Sequence, residues 1–280
     1  MFRVILVWLS LVVVPLQAAE IPRLPDGKPD LNGVWQVLNT ANVNLEPHNA
    51  QAAYALVDGP LGPVPAPEVV ALGAVGAAPG GLGVVVGGEI PYRPEALEQR
   101  DDNRANWLAR DPEIRCYQPG IPRANYMPHP FQIVQSGSAL LFSYAYAGAA
   151  RNVYLEDPGE APIDSWMGQS YGKWDGDTLV IEVTAQNDQT WLDRAGNHHS
   201  PGMVVTERFT LENAHVMMYE ATIEDEQTFT RPWTIRMPIY RKFGADAHLD
   251  QFNCVPFVEQ LLYGHLRKGA PAETEAEGGH

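Results

Sequence analysis

The sequence predicts a mainly β protein, an antiparallel meander forming a barrel or sandwich, with one helix near residues 93–110 and another at the C-terminus. Three observations lead there. From residue 131 onward, short runs of alternating apolar residues follow one another, separated by turn residues. Nowhere do strand and helix patterns alternate at the spacing a βαβ unit requires. With 280 residues, 45% of them hydrophobic, the chain can bury a sizeable core.

Taken in order, residues 1–19 read as a signal peptide. Arg3 supplies the positive start, the apolar run 4–16 is short for a membrane span, and Ala18 and Ala19 offer a cleavage point. A retained anchor is the alternative. The expected location is periplasmic or secreted, with residues 20–269 as a single β-rich domain and 270–280 as a disordered acidic tail. A Pro- and Gly-rich stretch at 21–30 precedes a first strand at 31–37 that carries Trp35. Residues 59–91, mostly Gly, Pro, Ala and Val, predict a loop laid against the body. Within them Gly81, Gly83 and Gly87 imitate a dinucleotide fingerprint, but no strand precedes and no helix follows, so no cofactor is expected.

Pro94 opens the helix candidate at 93–110, with Ala96, Leu97, Trp107 and Leu108 as packing residues. Next come a hairpin of 131–135 and 139–146 around Ser136-Gly137-Ser138, and a strand at 151–155. Asp175-Gly176 joins 173–174 to 178–184, and residues 212–215 join 204–211 to 216–224. A last strand covers 233–240. The C-terminal helix has Pro256 near its start, Phe257, Val258, Leu261, Leu262 and Leu266 as its apolar face, and Gly269 at its end.

Charge narrows the partners. Nineteen basic against 34 acidic residues leave −15, which repels nucleic acid and anionic lipid and suits a neutral or cationic small molecule. Cys116 and Cys254 are either a disulfide or two free thiols; a bridge would stabilise by roughly 4–5 kcal/mol through loop-closure entropy.

Side-chain parity singles out one carboxylate. In 204–211, Glu207 shares its face with Val205, Phe209 and Leu211, whereas Glu182 lies opposite Leu179, Ile181 and Val183. An inward Glu207 must be paired, protonated or facing a wet cavity. Arg231, Arg236 or a loop backbone are candidate structural partners; general acid or base work is the functional alternative. The 18-residue loop 185–202 gathers Asp188, Trp191, Asp193, His198, His199 and Ser200. Its histidines could transfer protons, or its polar groups could simply cap turns; their spacing matches no metal site, so none is expected. Gly168-Gln-Ser170-Tyr-Gly172 fits a nucleophile elbow but lacks the strand–turn–helix context. Trp166, Trp174, Trp191 and Trp233 could line a cavity for a sugar, aromatic or terpenoid ring, or could be core.

Two patterns resemble a large group of exported bacterial proteins to which no activity attaches. One is Gly172-Lys-Trp-Asp-Gly-Asp-Thr-Leu-Val180; the other runs from Thr190-Trp-Leu-Asp193 through Gly196 to His199-Ser200. The resemblance implies export and a lipocalin-like β-rich fold. The expected function is acid–base catalysis, of lyase, isomerase or dehydratase type, on a small, mostly apolar molecule in a barrel cavity. Glu207, His199 and Asp193 would be catalytic, and Trp166, Trp191, Asp188 and His198 would bind substrate. The alternative is a non-catalytic carrier or sensor using the same cavity.

Overall fold

Alternating burial along its strands closes this chain into a ring. The computed structural model describes residues 21–50, 56–59, 62–65, 79–244 and 247–257. Strand β1 (Gly33–Gln36) belongs to a closed nine-stranded barrel, while β2 (Leu56–Gly59) and β3 (Gly62–Pro65) form a separate antiparallel pair. The other barrel strands are β4 (Phe131–Gln135), β5 (Ala139–Tyr144), β6 (Ala150–Tyr154), β7 (Gln169–Asp175), β8 (Thr178–Thr184), β9 (Val204–Leu211), β10 (Val216–Glu224) and β11 (Trp233–Arg241). From β4 to β11 each strand pairs with the next in sequence, and β1 completes the ring against both β11 and β4. Turn chemistry fixes the β7–β8 join: Asp175 pairs with Thr178, and Gly176, at φ +59°, occupies the first position of the two-residue turn.

One join departs from the antiparallel order expected from sequence. β6 and β7 run parallel and pair only at Val153–Ser170 and Tyr154–Tyr171. A parallel pair requires a crossover, which residues 155–168 provide without a helix. β6 pairs with β5 along its whole length but with β7 only at its end, so among the described residues no strand pairs with the other side of 150–152. This is a seam in an otherwise continuous wall.

The ring is filled rather than hollow. Trp35, Phe131, Phe142, Phe209, Tyr219 and Ile235 are all 0% exposed at its centre, as expected of a small barrel packed by its own side chains. Residues 84–86 lie along the upper edge of β11, where Val86 and Arg236 donate backbone hydrogen bonds to Thr234 and Val84 respectively. The described part of the glycine-rich segment therefore covers a strand edge that short β1 does not reach. Helix α1 (Pro94–Ala105) starts at the anticipated proline and breaks at Asn106, after which a separate four-residue helix, Trp107–Arg110, completes the expected span. Its sequence is almost wholly polar, Leu97 is exposed, and only Asn103 is buried, so no apolar stripe carries it further.

The signal segment, the acidic tail and all but the first two residues of the expected C-terminal helix lie outside the described residues; Pro256 and Phe257 form a turn. No helix among the described residues is long and apolar enough to cross a membrane. Cys116 and Cys254 are joined as a disulfide, resolving the two alternatives left by the sequence, with Cα atoms 5.7 Å apart. The bridge fastens residues 247–257 to the barrel end, where Phe252 packs on His129 with ring centroids 4.1 Å apart. Replacing both cysteines with serine should remove about 5 kcal/mol of unfolding free energy. A lower urea midpoint would register this loss, and an unchanged midpoint would show that the bridge adds nothing.

Candidate functional site

Glu207 points inward as its strand parity predicts. It is 0% exposed in the alternating pattern of β9, between Ile181 of β8 and Ala221 of β10. Neither neighbour can neutralise it. Its partner comes from across the barrel: Arg151 of β6 donates from Nη1 to Oε2 at 2.6 Å and from Nη2 to Oε1 at 3.3 Å. The ion pair thus forms with neither Arg231 nor Arg236. Asn125 Nδ2 and the Tyr219 hydroxyl also donate to Oε1, at 2.6 and 2.8 Å, and Tyr144 donates to Asn125 Oδ1 at 2.9 Å. Burial raises the pKa of both tyrosines, and the Glu207 charge raises it further, so both hydroxyls remain protonated donors.

Arg151 joins this interior network to the surface. Its guanidinium lies 4.6 Å above the Phe142 ring, and Nη1 reaches Ser170 Oγ at 3.4 Å. Its Nε–H is buried and has no hydrogen-bond partner among the described residues. Arg151 and Ser170 also line a cleft of about 380 Å³ at the β6–β7 seam, together with Asn152, Ser165, Trp166 and Gln169. The cleft opens where residues 150–152 lack a strand neighbour. Trp166 is half-buried there, its ring 4.8 Å from that of Tyr117. Gly168, at φ +66°, lets the crossover turn into β7; a Cβ there would lie 2.5 Å from the Thr184 carbonyl.

The other residues expected at the site belong to a different cluster. Asp193 is 0% exposed and accepts from the backbone N–H groups of Leu45, Ala195 and Asn197 and from Asn197 Nδ2. Burial pushes its carboxyl up to about 6 against the pull of those donors. His199 Nδ1 faces the Ser200 carbonyl at 2.9 Å, an acceptor, so it carries the ring proton; Nε2 then accepts from Thr190 Oγ1 at 2.6 Å. Burial lowers the pKa of this histidine and favours the neutral ring. His198 bonds the Ala96 carbonyl and lies beside Tyr92. Trp191 is buried and pairs by a β-bridge with His198, whereas Asp188 is exposed. Among the described residues, neither Asp193 nor His199 hydrogen-bonds Glu207. Nor do three His, Cys, Asp or Glu side chains converge as metal ligands there. Ser170 stands inside β7, buried, and meets Arg151 rather than a histidine.

Parity applied to basic residues would have found Arg151, which shares its face with Val153 and Leu155. Tyr219 stands likewise among Met217, Ala221 and Ile223. Asn125 and Tyr144 carry no comparable sequence signal. A second buried ionic cluster anchors the chain before β4: Glu113 accepts from Arg123 at 2.6 Å and from Arg194 at 2.7 and 2.8 Å, and Asp111 pairs with Arg123 at 3.1 Å. Burial alone would raise Glu113, but the two guanidiniums outweigh it and hold the carboxyl at about 2. Compared with protein-family models, curated proteins and solved structures, the chain shows no significant match to any.

Two outcomes follow from these networks. Glu207→Gln leaves the Arg151 charge buried and unpaired, so stability should fall by about 3–5 kcal/mol without any ligand present. Arg151→Met combined with Glu207→Met should lose much less, and a urea titration of both variants separates the two. For Glu113, a lowered folded-state pKa means stabilisation that is complete above its ordinary 4.5 and is lost as pH falls toward about 2. Glu113→Gln should therefore destabilise the protein near neutral pH and make little difference at the acid end of that window, read from melting temperatures across pH.

Proposed function

We propose that the protein is an exported, lipocalin-like binder of a small molecule, a carrier or sensor that holds its ligand in the seam cleft. One observation carries this reading: two buried polar residues, Arg151 and Ser170, are among those that line the cleft, and Arg151 Nε–H has no partner among the described residues. Mixed apolar and polar walls around a few convergent polar groups are the usual character of a ligand site. Glu207 supports binding over turnover. It is sealed from solvent, and four donors already occupy its two oxygens. A general base must lie within hydrogen-bond reach of the proton it abstracts. The polar groups of the loop that bears Asp193 and His199 are spent on its own backbone and on that of Leu45.

The test is a thermal-shift and tryptophan-fluorescence screen of a small-molecule library against the wild type and Ala161→Trp, which places an indole in the cleft from its outer loop. Ligands that stabilise the wild type but not Ala161→Trp support the proposal; ligands indifferent to Ala161→Trp place binding elsewhere. Any ligand found is then incubated with the protein and examined by mass spectrometry. Turnover that Glu207→Gln, still folded, slows by about 10²–10⁴-fold would instead assign acid–base catalysis to this site.

A further inference from the structure

We infer that the seam cleft takes a neutral, hydroxyl-bearing ring of the saccharide type, one of whose oxygens accepts from Arg151 Nε–H; this rests on the seam cleft being the binding site. Charge excludes the ionic classes first. Arg151 is the cleft's one fully ionised lining residue, and Glu207 neutralises it at 2.6 Å. An anion would find no net positive charge in a protein of net charge −15, and a cation would find no carboxylate in the lining.

The remaining polar lining is neutral and two-handed. Asn152, Ser165, Gln169 and Ser170 carry amides and hydroxyls, groups that both donate and accept. Ligand hydroxyls do the same, whereas an apolar terpenoid or arene would leave these groups unmatched. Gln169 Nε2 is committed to the Gly159 carbonyl at 2.6 Å, which fixes the amide in place. Ser170 Oγ accepts from Arg151, leaving its hydroxyl proton available to a ligand oxygen.

The backbone adds to this set. Leu155 N–H donates toward β5, to the Ser138 carbonyl. Odd-numbered residues of β6 therefore face β5, and Ala150 and Asn152 turn their peptide groups toward the cleft. The half-buried Trp166 also lines the cleft, its ring 4.8 Å from that of Tyr117. An indole face beside a rim of amides and hydroxyls matches a ring with one apolar face and an equatorial belt of hydroxyls. Arg151 lines the cleft as well, and its buried Nε–H, without an acceptor among the described residues, is costly to maintain; a ligand oxygen would relieve it.

Isothermal titration of the full chain with methyl glucoside, maltose, glucuronate and indole tests the assignment. Expected is binding of a neutral saccharide, weakened about tenfold or more by Trp166→Ala and abolished by Ala161→Trp. The Arg151 Nε–H resonance should move on saccharide addition and exchange more slowly with water, a readout that needs no substitution of a buried charge. Binding of glucuronate or indole with no neutral saccharide overturns the ligand class and leaves the cleft in place. So does an Arg151 resonance that stays still while a saccharide binds, or the absence of saccharide binding up to tens of millimolar. Saccharide binding that ignores both Trp166→Ala and Ala161→Trp overturns the cleft itself.

Discussion

A guanidinium and a carboxylate enclosed in a packed barrel constrain everything around them. Taking either charge out of water is expensive, and only close pairing with further hydrogen bonds offsets the cost. Arg151 and Glu207 meet at 2.6 Å with Tyr219 and Asn125 completing the shell. The two residues sit on β6 and β9, separated in the ring by β7 and β8. A slip of one residue in β9 would turn Glu207 to solvent and leave Arg151 buried alone. The pair therefore rejects wrong registers that hydrophobic packing by itself would penalise less sharply.

The same arginine stands on the strand with the free edge. Residues 150–152 lack a β7 partner because the parallel pairing begins only at Val153, and the cleft opens there. Its floor is thus part of the barrel core. Glu207 fixes the guanidinium on one side and the Phe142 ring lies against its plane. A donor held this rigidly loses little freedom when a ligand arrives, which is the physical advantage of building a site on strands rather than on loops. Stability and recognition converge on one side chain.

Much of the barrel was legible because period-two alternation is a strong signal. It placed Glu207 inward, and Gly176 marked its hairpin. The parallel β6–β7 join was not legible, since alternation identifies a strand without naming its neighbour, and the crossover 155–168 has no helix to announce it. Arg151 shows only when parity is applied to basic residues as well as to carboxylates. The loop 185–202 misled for a different reason. A long ordered loop must satisfy its own buried backbone groups, and Asp, Asn, His and Thr are the side chains that do so. Asp193 and His199 look reactive in sequence for the same chemistry that makes them good internal braces.

A carboxylate that works as a base and one that works as a strut differ in what is left over. Glu207 Oε1 receives three donors and Oε2 a fourth, two of the four from the Arg151 guanidinium. The surplus in this network lies on the donor side: among the described residues Arg151 Nε–H finds no acceptor. The surroundings repeat that imbalance, because Tyr144 and Tyr219 are held protonated by burial and act as further donors. A site whose unmet need is an acceptor is built to receive a ligand oxygen rather than to remove a proton. Glu207 shapes that need, since it takes a hydrogen bond from each terminal nitrogen of Arg151 while Nε stays without an acceptor among the described residues.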